Sequence, residues 1–351
     1  MFNNKLIICP KCLTLLFTNK ELHVEGYAIL SCECDEYPMI AGVIYMKKTG
    51  KKKTLNYLKH NKFNAALVNL ISFSLRSRIF FKLTLNFNFI YKLLGFRNFF
   101  TLLSFFSLSE EWVKYLKKRQ RIPSFFLSLF SLGLIKKKNS VLVDLCTGTG
   151  NLLPFVYDHT KPKNLLCIDR SFLNLYLAKL FFSKSATSFI CADVDKNLPI
   201  KSQSAELVHI ADGFHYLKKK YDVLKEIYRI LKKNGNLAII HTLNISTPKN
   251  QYATGTSPKK LKSDSDKAGF KKTCFISNEL IWSKLLLQKK LTLTQDHSIS
   301  DSYAYNMFAA KKALPKQLTF KKKYANLLAN SRIDYYQDPI LLKVKSYVAK
   351  I

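Results

Sequence analysis

Short apolar runs separated by glycine turns and polar helical stretches set the pattern of the second half of this chain. Val141-Leu142-Val143 is a wholly apolar, β-branched-rich run and reads as a buried strand of a parallel sheet. Runs of the same kind recur at Leu165-Leu166-Cys167-Ile168, at Ser188-Phe189-Ile190-Cys191-Ala192, from Leu207 to Ala211 and from Asn236 to His241. Between the last two, Val223, Leu224, Ile227, Ile230 and Leu231 recur at helical spacing. Tyr221–Lys233 is therefore predicted to be an amphipathic helix, stopped by Asn234-Gly235. Strands alternating with helices predict an α/β fold, a parallel sheet flanked by helices. Leu291–Ile299 and Tyr303–Lys311 are expected to close that sheet as a hairpin. Asn244–Lys272 is polar, holds Pro248 and Pro258, and reads as a mobile loop over the site or as disorder.

The first half has a different texture. Lys51-Lys52-Lys53 reads as a linker, and Leu55, Leu58, Phe63, Leu67 and Leu70 suit one helical face. Arg76, Arg78, Lys82, Lys92 and Arg97 then alternate with Phe and Leu. This stretch has three readings: an amphipathic surface for anionic lipid, a stacking surface for single-stranded nucleic acid, or a helical cap over the cleft with solvated lysines. Glu110–Gln120 and Phe125–Leu134 read as helices, and the lysine-rich tail from Leu314 to Ile351 is expected to be helical at Ile340–Ala349. No apolar run reaches the roughly 18 residues that a membrane span needs. Met1–Asn19 lacks the basic start, apolar run and cleavage site of a secretory signal. A cytoplasmic location and reduced cysteines follow as expectations.

Composition changes the picture in one respect. The chain of 351 residues carries a formal net charge of +34, which suits an anionic partner. Yet 49 of the 57 basic residues are Lys and only eight are Arg. Phosphate and base readers favour the Arg fork, so drift in an AT-rich coding sequence competes with an adaptive basic surface.

The chemistry centres on Asp144-Leu145-Cys146-Thr147-Gly148-Thr149-Gly150-Asn151, a glycine turn between a strand and a helical pattern. Gly148 and Gly150 allow close approach of a ligand to the backbone. A dinucleotide fingerprint would place a third glycine where Leu153 stands, which counts against that class of ligand. The segment resembles motif I of class I S-adenosylmethionine-dependent methyltransferases, acid-x-Gly-x-Gly-x-Gly, with Cys146 in place of the first glycine. Asp169 ends the second strand about twenty residues further on, where an acid accepts both hydroxyls of a ribose; it also suits the cap of the helix after Ser171. The resemblance places Asp193 at the adenine amino group and the backbone of Val194 against the ring. Leu198-Pro199-Ile200 with Ala205-Glu206-Leu207-Val208, and Leu224-Lys225-Glu226-Ile227-Tyr228-Arg229-Ile230-Leu231-Lys232-Lys233-Asn234-Gly235, are similar to two further phrases of that family. The cofactor-binding set it implies is Asp144, Cys146, Thr147, Gly148, Gly150, Asp169, Arg170, Asp193, Val194, Ala211 and Asp212. Open α/β sheets bind ligands at the carboxyl ends of their strands, so Asp212, His215 and Tyr216 are candidates for the acceptor pocket. His215 is the candidate base, with Tyr216 beside it; a structural His with one hydrogen-bonded nitrogen is the alternative.

Near the amino terminus, Cys9-Pro10-Lys11-Cys12 and Cys32-Glu33-Cys34 supply four thiols that can close a tetrahedral structural zinc site or remain unliganded. The stretch from Cys34 to Met46, with Tyr37-Pro38-Met39-Ile40 and Gly42-Val43-Ile44, resembles the end of the zinc-ribbon of the tRNA-methyltransferase activator subunit. That resemblance implies one structural zinc on Cys9, Cys12, Cys32 and Cys34.

Together these features divide the chain into a ribbon-like module at 1–48, a basic aromatic helical linker or cap at 49–108, a methyltransferase domain at 109–313 and a tail at 314–351. The resemblance covers roughly Ser109–Lys311 and implies a Rossmann-like seven-stranded sheet of the type 11 kind, with helices on both faces. The activity it implies is direct transfer of a sulfonium methyl, aided mainly by alignment of donor and acceptor. Candidate acceptors are a small or lipid-like molecule, such as a quinone precursor or fatty acid, or an rRNA or tRNA base. A cofactor-binding scaffold without turnover is a third class, and peripheral contact with a membrane surface stays open.

Overall fold

The computed structural model describes residues 5–72, 131–135, 140–184, 186–245, 253–278, 290–293 and 304–319, with isolated positions between 78 and 128. The expected helices at Glu110–Gln120 and Ile340–Ala349, and most of the basic aromatic stretch, lie outside the described residues. Of Phe125–Leu134, the described end is a 3-10 turn over Leu132–Leu134. In chain order the elements are β1 (Phe17–Glu21), β2 (Ala28–Ser31), β3 (Glu36–Ile40), β4 (Val43–Tyr45), α1 (Lys51–Lys59), α2 (Phe63–Ile71) and β5 (Val141–Leu145). There follow α3 (Leu153–Thr160), β6 (Asn164–Asp169), α4 (Phe172–Phe182), β7 (Thr187–Cys191), β8 (Ala205–Ala211), α5 (Lys220–Ile230) and β9 (Leu231–Leu243). The last are α6 (Pro258–Ala268), β10 (Lys272–Ser277), β11 (Lys290–Thr292), β12 (Ala304–Ala310) and β13 (Gln317–Thr319). No described helix is long and apolar enough to cross a membrane.

The chain is α/β and forms two compact units. The first comprises Met1–Arg119, Thr147–Leu153 and Leu166–Lys201. Its strands run in the order β1-β2-β3-β4-β7-β6. Four of these strands, β1–β4, precede the domain for which seven were expected, so this sheet is wider than the sequence implied. The physical reason lies at β4. Its backbone pairs in parallel with β7, Val43 opposite Phe189 and Tyr45 opposite Cys191, so the four N-terminal strands continue the sheet past an edge that would otherwise be open. The amide of Met46 donates to the carbonyl of Cys191 at 2.9 Å, and Lys179 of α4 donates to the carbonyl of Ala41 at 2.7 Å. Burial holds the Lys179 ammonium below its ordinary pKa. Gly42 has φ 74°, and a Cβ there would lie 1.9 Å from the Lys179 Nζ.

The lysine run is also corrected. Lys51-Lys52-Lys53 starts α1 and is no linker. Lys51 pairs with Asp35, and the buried Thr54 hydroxyl donates to the carbonyl of Gly50 at 2.9 Å and accepts from Asn69 of α2 at 3.0 Å. Leu58, Leu67, Val68 and Ile71 form the buried side of this helix pair.

The second unit comprises Gln120–Cys146, Pro154–Leu165 and Ser202–Ile351, with strands in the order β5-β8-β9-β12-β10. β5, β8 and β9 are parallel; β12 is antiparallel to β9 and β10. Leu142, Val143, Leu145, Leu207, Val208, Ile210, Leu237, Ala238 and Ile239 are all fully or almost fully buried. Each large side chain among them is worth roughly 1.5–3 kcal/mol of burial.

Three expectations are corrected in this unit. The partner of β12 is β10, not Leu291–Ile299; of that segment, Leu291 and Thr292 belong to β11, which pairs with β13 in a separate two-stranded sheet. The buried run Cys274-Phe275-Ile276 is the better strand. Within Asn244–Lys272 the chain forms α6 in place of a loop: the Ser257 hydroxyl accepts from the amide of Lys260 at 3.2 Å, Pro258 opens the first turn, and Gly269 ends the helix at φ 105°. Finally, α5 stops at Ile230, three residues before the expected end. The amides of Gln203 and Ser204 take the carbonyls of Arg229 and Ile230, and Ala205 pairs with Leu231, so the chain is already extended ahead of Asn234-Gly235.

Candidate functional site

In the first unit the glycine turn is tied to the end of β6 by one carboxylate. Asp169 Oδ2 accepts the amide of Gly148 at 2.8 Å, and Oδ1 accepts the amide of Ser171 at 2.8 Å. Ser171 in turn caps α4 by accepting from Asn174 at 3.3 Å. The sequence left Asp169 between a ligand-facing acid and a helix cap; the cap is Ser171, with Asp169 bracing it. The amide of Thr147 donates to the carbonyl of Ile168 at 3.2 Å, which fixes the start of the turn.

The two glycines differ. Both are left-handed, Gly148 at φ 57° and Gly150 at φ 76°. A Cβ on Gly150 would meet the Cβ of Ala178 at 2.7 Å, so this glycine serves the packing of the turn on α4. A Cβ on Gly148 would meet no atom of the described residues within 4 Å. The space over Gly148, beside the Asp169 carboxylate, is thus a cradle that a side chain would fill. Asp193 follows β7 and bonds the amide of Asp195 through Oδ1 at 3.3 Å and Lys196 through Oδ2 at 3.3 Å. The amide of Ala192 donates to the carbonyl of Asp169 at 3.1 Å, which brings the ends of β6 and β7 together. Val194 is buried and the Arg170 side chain is exposed; the Arg170 carbonyl accepts from Lys47 at 3.0 Å.

In the second unit, Asp144 is buried and its Oδ1 lies 3.0 Å from Nδ1 of His209, which is fully buried. Nothing in the sequence pointed to His209, which stands inside an apolar strand. Cys146 is left-handed at φ 58°, and the absence of a Cβ on Gly213 is what admits it: one would lie 2.5 Å from the Cys146 Cβ. Ala211 ends β8, and Asp212 follows at φ 53° with its amide donating to the carbonyl of Ile240 at 2.9 Å. Asp212 Oδ1 lies 3.8 Å from Nε2 of His215 and 3.8 Å from Nε2 of His241. His215 is buried and Tyr216 is 44% exposed; their rings lie 4.3 Å apart between centroids, tilted by 50°. The structure therefore brings Asp212 and His215 together, sets Tyr216 outside them, and adds His241, which sequence reasoning missed. Its position at the carboxyl end of β9 was the available signal.

The four N-terminal cysteines converge. All four sulfurs lie within 4.8 Å of one another, with Cys9 3.6 Å and Cys32 3.5 Å from Cys34. Zinc–sulfur bonds of about 2.3 Å in a tetrahedron set sulfurs about 3.8 Å apart, so this donor set fits such an ion. The amide of Lys11 donates to the Cys9 sulfur at 3.3 Å, and the buried Tyr37 hydroxyl lies 3.1 Å from it. Hydrogen bonds from Thr14 lower the Cys12 thiol to about 6, whereas its contact with Cys12 and burial push Cys34 up to about 12. At the neighbouring Asp35, burial acts to raise the carboxyl, but hydrogen bonds from Lys11 and Lys51 outweigh it and hold the group below its ordinary value.

A demethylmenaquinone methyltransferase of Chlamydia caviae is 35% identical over 116 residues, 33% of this chain and 48% of that protein. A malonyl-[acyl-carrier protein] O-methyltransferase of Marinomonas sp. is 33% identical over 96 residues, 27% of this chain and 35% of that protein. The chain thus spans about half or less of the length of these curated relatives. Among solved structures, an S-adenosylmethionine-dependent methyltransferase of Mesorhizobium loti aligns with a TM-score of 0.42 at 15% identity, covering 54% of this chain and 97% of that one. Residues 143–239, which hold the glycine turn, Asp169, Asp193, Asp212 and His215, match the family model described as a methyltransferase domain.

Proposed function

We propose that this chain is an S-adenosylmethionine-dependent methyltransferase acting on a small-molecule or lipid-like acceptor. The observation that carries the reading is the open cradle over Gly148, bordered by the Asp169 carboxylate, inside the matched segment. A left-handed glycine with nothing above it admits a ligand against the backbone, and an acid beside it accepts ribose hydroxyls. When bound, S-adenosylmethionine supplies a methyl group activated on a sulfonium. Asp169 with Thr147, Gly148 and Gly150 holds the nucleoside, Asp193 and Val194 meet the base, and Arg170 lies at the rim. Asp144, Cys146, Ala211 and Asp212 complete the cofactor set, and His215 and Tyr216 face the acceptor. Cys9, Cys12, Cys32 and Cys34 hold one structural zinc that ties the N-terminal strands together.

The names of the two relatives favour the acceptor class: one is named for demethylmenaquinone, the other for malonyl groups on acyl-carrier protein. The test is incubation of the purified chain with methyl-labelled S-adenosylmethionine and, separately, quinone precursors, acyl-carrier-protein thioesters, fatty acids and unmodified RNA. Label in an organic-soluble product or in an acyl-carrier-protein thioester supports the proposal. Label in RNA alone replaces the acceptor class.

A further inference from the structure

Two imidazoles flank the Asp212 carboxylate, and the hydrogen bonds behind one of them fix its chemistry. The chain of bonds starts at a group whose polarity is not in doubt. The backbone N–H of His241 donates to the side chain of Asn306 at 2.9 Å, so the acceptor there is the amide oxygen. The other end of the Asn306 amide is therefore its NH2, consistent with its 3.2 Å bond to the carbonyl of Ile276, which can only accept. That NH2 also donates at 2.8 Å to Asn278, which makes the contacted atom of Asn278 its oxygen. What Asn278 presents to the His241 ring is then its NH2, 2.7 Å from Nδ1. Nδ1 must accept, so the ring proton sits on Nε2, the nitrogen 3.8 Å from Asp212 Oδ1.

Asn306 is fully buried within the apolar strand β12, and Asn278 is half-buried. A buried polar residue in such a strand stabilises the fold only when its bonds are all made, and these are made in one sense only. A proton on Nδ1 would meet the Asn278 NH2 head-on.

We infer that the Asn306–Asn278 relay locks His241 as the neutral imidazole with its proton on Nε2, making it a positioning residue that turns this N–H toward the Asp212 side chain, which also faces His215. The Nδ1 lone pair of His241 is then committed to Asn278 and Nε2 carries the proton, so neutral His241 is no base. His215, whose Nε2 also faces Asp212 Oδ1, is the imidazole that takes the acceptor's proton. Were S-adenosylmethionine bound, its sulfonium would supply the methyl group, and His215 would hold the proton the acceptor gives up, the positive charge balanced by Asp212. The role of His215 rests on the methyltransferase reading, whereas the tautomer of His241 does not.

The experiment is long-range nitrogen–proton correlation NMR on the full chain with nitrogen-labelled histidine, His241 assigned by loss of its signals in His241→Gln. The expected pattern has a protonated Nε2 and a bare Nδ1. Asn278→Asp presents an acceptor to Nδ1 in place of a donor and keeps the oxygen that Asn306 needs. Its expected result is a proton on Nδ1. A proton on Nδ1 in the unaltered chain overturns the relay, and so does an unchanged ring in Asn278→Asp. Should S-adenosylhomocysteine fail to bind the unaltered chain while the ring pattern is as expected, the methyltransferase reading falls, the His215 role falls with it, and the tautomer lock stands.

Discussion

Replacing each glycine of the turn by alanine separates packing from ligand contact. Both residues are left-handed, at φ 57° for Gly148 and 76° for Gly150, where an L side chain costs about 1–2 kcal/mol. For Gly148→Ala nothing is added to that cost, because the new methyl meets no atom of the described residues within 4 Å. For Gly150→Ala the methyl must also displace Ala178, at 2.7 Å from its Cβ and 3.2 Å from its Cα. Backbone cannot swing away as a side-chain tip can, and overpacking of this kind adds about 1–3 kcal/mol. The expected losses of stability are therefore about 1–2 kcal/mol for Gly148→Ala and about 2–5 kcal/mol for Gly150→Ala, read from urea unfolding by circular dichroism. Affinity for S-adenosylhomocysteine should move in the opposite order relative to stability. Gly148→Ala fills the cradle and should weaken binding roughly 10- to 100-fold, since each 1.4 kcal/mol is a factor of ten. Equal destabilisation by the two substitutions would refute the packing difference. Undiminished affinity in Gly148→Ala would refute the cradle.

Other outcomes follow from the same geometry. Zinc should be found by metal analysis at one ion per chain; its removal by a chelator, or Cys9→Ser, should lower the unfolding midpoint and expose β1–β4 to protease. Asp35 is held below its ordinary pKa of 3.8 despite burial, by Lys11 and Lys51, so it contributes stability above pH 3.8 that is lost as pH falls through the lower folded value. Asp35→Asn should therefore cost about 1–3 kcal/mol at pH 7, and the difference from the unaltered chain should vanish in acid. Ser257→Ala removes the cap of α6 and should cost about 0.5–2 kcal/mol, with increased amide exchange confined to Pro258–Ala268.

What could be read from the sequence was what local pattern encodes. The strands β5, β6, β7 and β8 announce themselves because a strand buried on both faces must be apolar throughout, and Asp169 stands out because it ends such a run. The pairing of β4 with β7 was not legible: it joins Val43 to Phe189 across most of the first unit's length, and no local period encodes a partner so distant. The Asp144–His209 contact, 65 residues apart in sequence, was hidden for the same reason. α6 was overlooked because its composition is polar, although Ser257-Pro258 and Gly269 are start and stop signals. Asn306 was the clearest missed sign, a lone amide in the apolar run Ala304-Tyr305-Asn306-Met307-Phe308, where burial demands bonded partners.

The central claim is a nucleoside cofactor held by the glycine turn and Asp169. It is tested most directly by calorimetric titration of the purified, zinc-replete chain with S-adenosylhomocysteine, beside Asp169→Asn. The account predicts saturable binding at one molecule per chain, weakened at least tenfold by Asp169→Asn. No heat of binding to the folded chain would contradict it.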